Sequence, residues 1–400
     1  MRSTQVHALT LLVAVAIGLY SISPPTLVDY KHLIASLLAP AIHFEVDPAF
    51  NVSACKAAAA PHLSNTTFVR GFHVLCLAAT ANNTIQGLVY EDGVLGYPSY
   101  YTTARDIHEL LRALPRSSFE DVDDVQWKQP PQFYAPDGEL LTIIDQLLDY
   151  NIVYLFEGGQ FIWPGLCVGH RRVVPDLPGL GDVVLETLSM QPLVLAVDRF
   201  LHNDEIDAIV ELALPHLAAS TVKLQDGDED KPASEWRTSS QYFLPSTESP
   251  ILAQIDDRVE ALVKVHKTHQ EPVQVLRYEK TQKYDHHTDY FDANMYDNSP
   301  EFQEYLHHGF KNRMITVFWY MSDVADGGHT AFPRAGGRPQ PDSMTDCTKG
   351  LLVAPKKGKV IVFYSMLPDG SLDPMSLHGG CPVRDGVKYS GNKWVWNKPR

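Results

Sequence analysis

Cysteine is scarce, with five in 400 residues. That is too few for a disulfide-built scaffold, and the odd count leaves at least one thiol without an intrachain partner. Basic residues are also short, 33 Lys and Arg against 48 Asp and Glu, for a formal charge of −15. No long Lys/Arg cluster breaks that balance, so the basic footprint that phosphate backbones require is missing, which argues against a nucleic-acid partner. Collagen-like Gly-X-Y periods, heptad runs and solenoid repeats are absent too, which excludes those architectures. What is present is an ordinary globular composition, 44% apolar and 20% charged, enough for one large domain or two of common size.

The N-terminus carries one early cation, Arg2, and then an apolar run from Ala8 to Ile22. This reads as a leader over residues 1–23. Pro24 after a possible cut at Ser23 disfavours cleavage, so the expectation is a signal anchor and a type II, single-pass protein. The body would then lie in the endoplasmic reticulum or Golgi lumen, or be secreted if the leader is cut. Membrane contact would be by the anchor only. Asn-X-Ser/Thr triplets begin at Asn51, Asn65 and Asn82 and add mild support for a glycosylated chain. In an oxidising lumen the pairs to draw are Cys55–Cys76 and Cys347–Cys381, with Cys167 left over, although spacing alone does not fix the pairing.

Residues 24–190 read as a mixed α/β region of unknown role. Ile107, Leu110, Leu111 and Leu114 have helical spacing and end at Pro115, and Leu140, Leu141, Ile144, Leu147 and Leu148 predict a second helix. Pro130, Pro131 and Pro136 mark a loop between them. The stretch from Pro175 to Gly181 reads as a linker, which puts the start of a second domain at residue 191. There Asn203 is placed to cap a helix through Ala213, and Gln225 to Glu235 reads as a loop. Strands are expected over 274–278, 314–321, 351–354, 360–364 and 393–396, all rich in β-branched and aromatic residues. The expected class is α+β, with a double-stranded β-helix (jelly roll) and supporting helices over residues 191–400.

In the segment Tyr284-Asp285-His286-His287-Thr288-Asp289, strand alternation puts His287 and Asp289 on one face and His286 on the other. By itself this H-X-D is weak, since a solvated strand edge has the same text. A distant His378, after a strand and before two glycines, completes two imidazoles and one carboxylate. That is the donor set of the facial triad of non-haem Fe(II) oxygenases, which leaves positions open for a bidentate 2-oxo acid and O₂. A buried cosubstrate carboxylate needs a cation and hydroxyls, for which Lys388, Tyr278 and Thr330 are candidates.

The stretches QVLRYEKTQKYDHHTDYF, ITVFWYMSDVADGGHTAFP and KGKVIVFYSMLPDGSLDPMSLHGGCPVRDGVKYSGNKWVWNK, with EWRTSSQYFL upstream, closely resemble prolyl 4-hydroxylases of the plant and algal membrane-anchored type. The resemblance spans about residues 192–398. It implies a procollagen-proline-type dioxygenase using Fe(II), 2-oxoglutarate and L-ascorbate on a proline-rich peptide or protein. His287, Asp289 and His378 would hold iron, and Lys388 would take the distal carboxylate of 2-oxoglutarate with help from Tyr278 and Thr330. The peptide groove would be Arg237, Ser239, Glu271, Tyr284, Arg313 and Trp394. Cys347 and Cys381 match a disulfide of that type. Three departures stand out. Thr281 replaces the usual glycine, Trp396 stands where a histidine is often found, and residues 292–312 are longer than usual. The alternatives are another peptidyl hydroxylase, such as a lysyl one, or a non-catalytic barrel that binds proline-rich peptides or sugars.

Overall fold

The computed structural model describes residues 50–80, 84–96, 98–113, 129–228 and 230–400. The expected leader and the triplet at Asn82 lie outside them, while Asn51 and Asn65 are exposed. Among the described residues, no helix is long and apolar enough to cross a membrane.

The N-terminal layer is an antiparallel six-stranded sheet. It contains β1 (Phe72–Ala79), β2 (Ile85–Tyr90), β3 (Ser99–Ala104), β4 (Gln132–Tyr134), β5 (Leu140–Leu141) and β6 (Ile152–Phe156), in the order β3-β2-β1-β6-β4-β5. Both faces of the central strand are covered, which explains why β1 reads as a continuous apolar run. Val74 and Cys76 join the main core, whereas Leu75 and Leu77 pack with Leu110 and Leu147 from the helices Ile107–Ala113 and Ile144–Leu148. The predicted helix over 140–148 is thus half wrong. Leu140 and Leu141 pair with β4, and the helix starts only after Ile143, where the Gln146 side chain accepts from the Thr142 and Ile143 N–H groups.

The rest of the chain builds two facing sheets. In order come β7 (Arg171–Leu177), β8 (Gly181–Met190), β9 (Leu193–Val197), β10 (Ala218–Ala219), β11 (Ser240–Leu244) and β12 (Val273–Tyr278). They are followed by β13 (Tyr284–His287), β14 (Arg313–Tyr320), β15 (Asp326–Gly327), β16 (Thr330–Phe332) and β17 (Leu351–Val353). The last are β18 (Val360–Tyr364), β19 (His378–Gly380), β20 (Val383–Asp385) and β21 (Lys388–Trp396). The major sheet has nine strands, β10-β11-β12-β21-β14-β18-β9-β8-β7, and the minor sheet four, β13-β19-β16-β17, while β15 and β20 pair with each other as a separate two-stranded ribbon. Val194, Ala196, Phe318, Ile361 and Phe363 of the major sheet pack with Phe332 and Val353 of the minor one, filling the space between them. The major sheet's other face packs on the helices Asn203–Ala213 and Pro250–Val263 and on the N-terminal layer. This is the expected jelly roll with supporting helices.

Two boundaries move. The expected linker at Pro175–Gly181 is a hairpin: Leu177 pairs with Gly181, and β7 and β8 extend the major sheet. Pro175 is tolerated because β7 is the edge strand. The sheet therefore begins upstream of residue 191. The second change is at the helix cap, which is His202 rather than Asn203, and its N–H donates to Glu205 at 2.8 Å. Glu205 is also gripped by the buried Arg258, at 2.9 and 2.7 Å, so the cap is tied to the neighbouring helix.

The disulfides Cys55–Cys76 and Cys347–Cys381 are closed, and Cys167 is free and exposed. The second links the loop after β16 to the end of β19.

Candidate active site

The site lies between the sheets. Strand β13 delivers His287 and β19 delivers His378, and these two residues are direct cross-strand partners. The close approach of the two strands requires glycine at 379, where a Cβ would meet His286 Cδ2 at 2.6 Å and the Tyr284 carbonyl oxygen at 2.9 Å. His286 points away from His287, as alternation predicts, and packs against Gly379. Asp289 lies two residues past His287 but beyond the end of β13, so strand alternation is not what holds it. The Thr316 hydroxyl on β14 does so, donating to Asp289 Oδ2 at 2.7 Å inside the barrel.

One donor atom from each of His287, Asp289 and His378 lies within 4.8 Å of the others. His287 Nε2 is 3.8 Å from Asp289 Oδ1, and His378 Nε2 is 3.5 Å from Oδ2. Both imidazoles give Nδ1 to a backbone carbonyl, Asp285 at 2.8 Å and Ser376 at 2.9 Å. With Nδ1–H donating there, Nε2 keeps its lone pair and faces the carboxylate. Burial, and then the neighbouring His378, hold His287 well below the usual histidine range, which keeps it neutral. Burial opposes the charge on Asp289, but its electrostatic surroundings, Arg313 and the Thr316 hydrogen bond among them, hold its carboxyl below the usual carboxylate range. Two imidazole nitrogens and one carboxylate oxygen, converging in a buried space, fit a borderline divalent metal with open positions. A structural zinc site, closed by four protein ligands, has a different make-up.

The second feature is Lys388. It lies opposite Tyr278 in the register of β12 and β21, and it is 2% exposed. Its Nζ sits 5.3 Å from the Tyr278 and Phe318 ring centroids and 5.7 Å from that of Tyr320. Burial alone drives its pKa down to about 7, and among the described residues no carboxylate pairs with it. A buried ammonium caged by aromatics and lacking an anion is a site made for one. Thr330 is buried too and accepts at 2.7 Å from the hydroxyl of Tyr320, one of the rings around Lys388. The Tyr278 hydroxyl reaches toward Gly380, the residue that Thr330 pairs with. Lys388, Tyr278 and Thr330 are therefore brought together next to the triad's strands.

The six expected groove residues fall into two linked groups. Arg237 stacks 4.5 Å over Tyr284, whose ring lies 3.6 Å from that of His287, and Arg237 Nε donates to Ser239 Oγ at 3.0 Å. Burial pushes the Tyr284 hydroxyl up to about 12, so it stays a neutral donor. In the other group, Arg313 grips Glu271 with two bonds of 2.6 and 3.0 Å and lies 3.5 Å over Trp394. The Trp394 indole N–H is buried without a partner among the described residues. Sequence reasoning missed Thr316, Tyr320 and the role of Trp396, because each acts through a partner set by the fold rather than by a local motif.

The family description "2OG-Fe(II) oxygenase superfamily" matches residues 273–396. Probable prolyl 4-hydroxylase 8 of Arabidopsis thaliana is 40% identical over 222 residues, 54% of this chain and 72% of that protein. Probable prolyl 4-hydroxylase 3 of the same plant is 38% identical over 220 residues, 54% and 73% of the two chains. The chain belongs to the prolyl 4-hydroxylase family. Among solved structures it is similar to the viral collagen prolyl hydroxylase of Paramecium bursaria Chlorella virus-1 in its 2OG complex, at 26% identity and a TM-score of 0.36, over 51% of this chain and 95% of that one. In this prolyl 4-hydroxylase family member, the matched segment runs from β12 to the end of β21 and contains the triad, Lys388 and Arg313. The N-terminal six-stranded layer lies outside it.

Proposed function

We propose that the protein hydroxylates peptidyl proline at C4, with Fe(II) as its metal, 2-oxoglutarate and O₂ as cosubstrates, and ascorbate as the reductant that restores oxidised iron. The observation that carries this is the joint presence, between the two sheets, of a converged His-Asp-His set and a buried Lys388 without an anion. Relatives named as prolyl 4-hydroxylases at 38–40% identity support proline as the target.

Iron with 2-oxoglutarate and O₂ supplies the oxidising chemistry, with succinate and CO₂ as coproducts. The chain's own residues do the rest. His287, Asp289 and His378 would hold the metal through two imidazole nitrogens and one carboxylate oxygen. Lys388 would neutralise the far carboxylate of the cosubstrate, with the Tyr278 and Thr330 hydroxyls as further partners, and so would hold the keto acid in one orientation. Phe363 and Phe332, with ring centroids 4.6 and 5.7 Å from that of His378, wall the metal side with apolar surface that excludes water. Tyr284 and Trp394 present the aromatic faces on which a polyproline-II segment docks, and Arg237, Ser239, Glu271 and Arg313 frame them. We place this work in the lumen of the secretory pathway, with the N-terminal leader as the only membrane contact. The two disulfides and exposed Asn51 and Asn65 accord with that compartment.

The test is mass spectrometry of proline-rich peptides after incubation with enzyme, Fe(II), 2-oxoglutarate and ascorbate. One oxygen gained on proline, with equimolar succinate, is the expected result. Lysine-directed oxidation, or peptide binding without succinate, refutes the reading.

A further inference from the structure

Trp396 ends the strand that carries Lys388 and Trp394 and shares their face, since the three are an even number of residues apart. Its indole Nε1–H donates to Glu271 Oε1 at 2.7 Å. The same Glu271 takes both bonds from Arg313, at 2.6 and 3.0 Å, and the Arg313 guanidinium carbon lies 3.5 Å from the Trp394 ring centroid. Trp396 and Glu271 are 3% and 6% exposed, so this relay runs where water does not compete. The segment 292–312 covers its far side. Tyr305 meets Trp396 edge-on at 5.5 Å, and Lys311 Nζ lies 4.6 Å over Tyr305 and 5.9 Å over Trp396. Phe291, just before that segment, stacks on Trp396 at 6.1 Å.

We propose that Trp396 is a positioning residue for the peptide groove, acting through Glu271 on Arg313, with Tyr305 as its brace. The inference rests on the peptidyl-proline reading above and adds to it a specificity device. A carboxylate bound only by Arg313 would be free to swing toward other donors. An indole is donor-only, so it fixes one oxygen of Glu271 without competing for Arg313. Arg313 then spends two of its five N–H donors on Glu271 and leaves the other three over Trp394 for the groove. The groove is thereby ordered before peptide arrives, which favours an extended ligand that is itself already ordered, a polyproline-II segment, over a flexible chain with a single proline.

The experiment compares wild type, Trp396→Phe and Tyr305→Ala, the last at an exposed position where folding is not at stake. Two readouts are taken: steady-state hydroxylation of an oligoproline peptide, and equilibrium binding of the fluorescein-labelled peptide to the Mn(II)-loaded enzyme. Trp396→Phe keeps an aromatic ring but removes the N–H together with the indole's five-membered ring, so the Glu271→Ala background below separates the lost bond from the lost packing. It is expected to raise peptide KM and Kd about tenfold, the effect of one hydrogen bond to a charged group. The kcat and the 2-oxoglutarate KM should stay within about twofold, because neither Lys388 nor the triad is touched. Tyr305→Ala should raise peptide KM roughly threefold. In a Glu271→Ala background, Trp396→Phe should add nothing further, since the acceptor is gone. Unchanged peptide Kd in Trp396→Phe, or a full additive loss in the Glu271→Ala background, overturns the relay. A wild type that neither binds nor hydroxylates oligoproline overturns the peptidyl-proline reading and this inference with it. A working wild type beside an unaffected Trp396→Phe overturns the inference alone.

Discussion

Replacing Lys388 with methionine separates the two things that this residue does. Its ammonium sits in an aromatic cage without a counterion, and burial lowers its pKa from 10.5 to about 7. At 1.36 kcal/mol per unit, holding that charge costs the ligand-free fold on the order of 5 kcal/mol. Between about pH 7 and 10.5 the unfolded chain keeps a proton that the folded chain has lost, so stability rises with pH across this window and the full cost applies below it. Lys388→Met, of similar length and apolar, removes the cost. The ligand-free variant should be more stable than wild type by several kcal/mol at pH 6–7, and the gap should narrow as pH rises. Denaturant unfolding at several pH values measures this. Ligand binding shows the other side. A dianionic keto acid restores the ammonium, so at pH 8 wild type should take up most of a proton per 2-oxoglutarate bound. Titration calorimetry in buffers of different ionisation enthalpy reads that uptake, with Mn(II) in place of iron. In Lys388→Met the uptake should vanish, and affinity should fall about a hundredfold or more, as for a buried ion pair that loses one partner. Equal stability of the two proteins below pH 7, together with no proton uptake by wild type, would refute the reasoning.

Two further substitutions probe the site's support. Thr316→Val keeps shape but removes the 2.7 Å bond to Asp289; Mn(II) affinity measured by calorimetry should fall about tenfold, Thr316→Ser should recover it, and an unchanged Kd would show that Asp289 needs no such anchor. Thr281 holds φ at 71°, in the left-handed region, which is strained for a β-branched residue, so Thr281→Gly should stabilise the fold by roughly 1 kcal/mol in denaturant unfolding, and a loss of stability would refute the strain.

The last of these shows how far local text goes. A glycine replaced by threonine reads as a changed turn, yet the backbone keeps the glycine-type conformation and bears the strain instead. The strands β12, β14, β17, β18 and β21 were legible because β-branched and aromatic runs report a pleated, buried surface directly. The Leu140–Leu148 segment was not, because a two-residue strand followed by a short capped helix leaves apolar residues at the same spacing as one longer helix. Pro175 to Gly181 misled for a related reason. Proline and glycine punctuate a hairpin on a sheet edge as readily as they punctuate a linker.

The candidate site divides along the same line. His287 and His378 were legible as residue types in context. Strand alternation predicts Asp289 beside His287, but the strand stops at His287 and a hydroxyl on β14 holds the carboxylate. Thr316 lies 27 residues from Asp289, and Trp396 lies 125 from Glu271. Neither partner leaves a trace in its neighbour's local sequence. The departure at Trp396 was visible, but its consequence was not. Read alone, tryptophan for histidine is a lost contact. In the fold, the same indole supplies a hydrogen bond to the carboxylate that orients Arg313. The chemistry of the metal site is thus written in residue identity, whereas the shape of the peptide groove is written in pairings that only the closed barrel creates. Variation among such enzymes in what they accept is then expected at positions like 305 and 396, while the triad and Lys388 stay as they are.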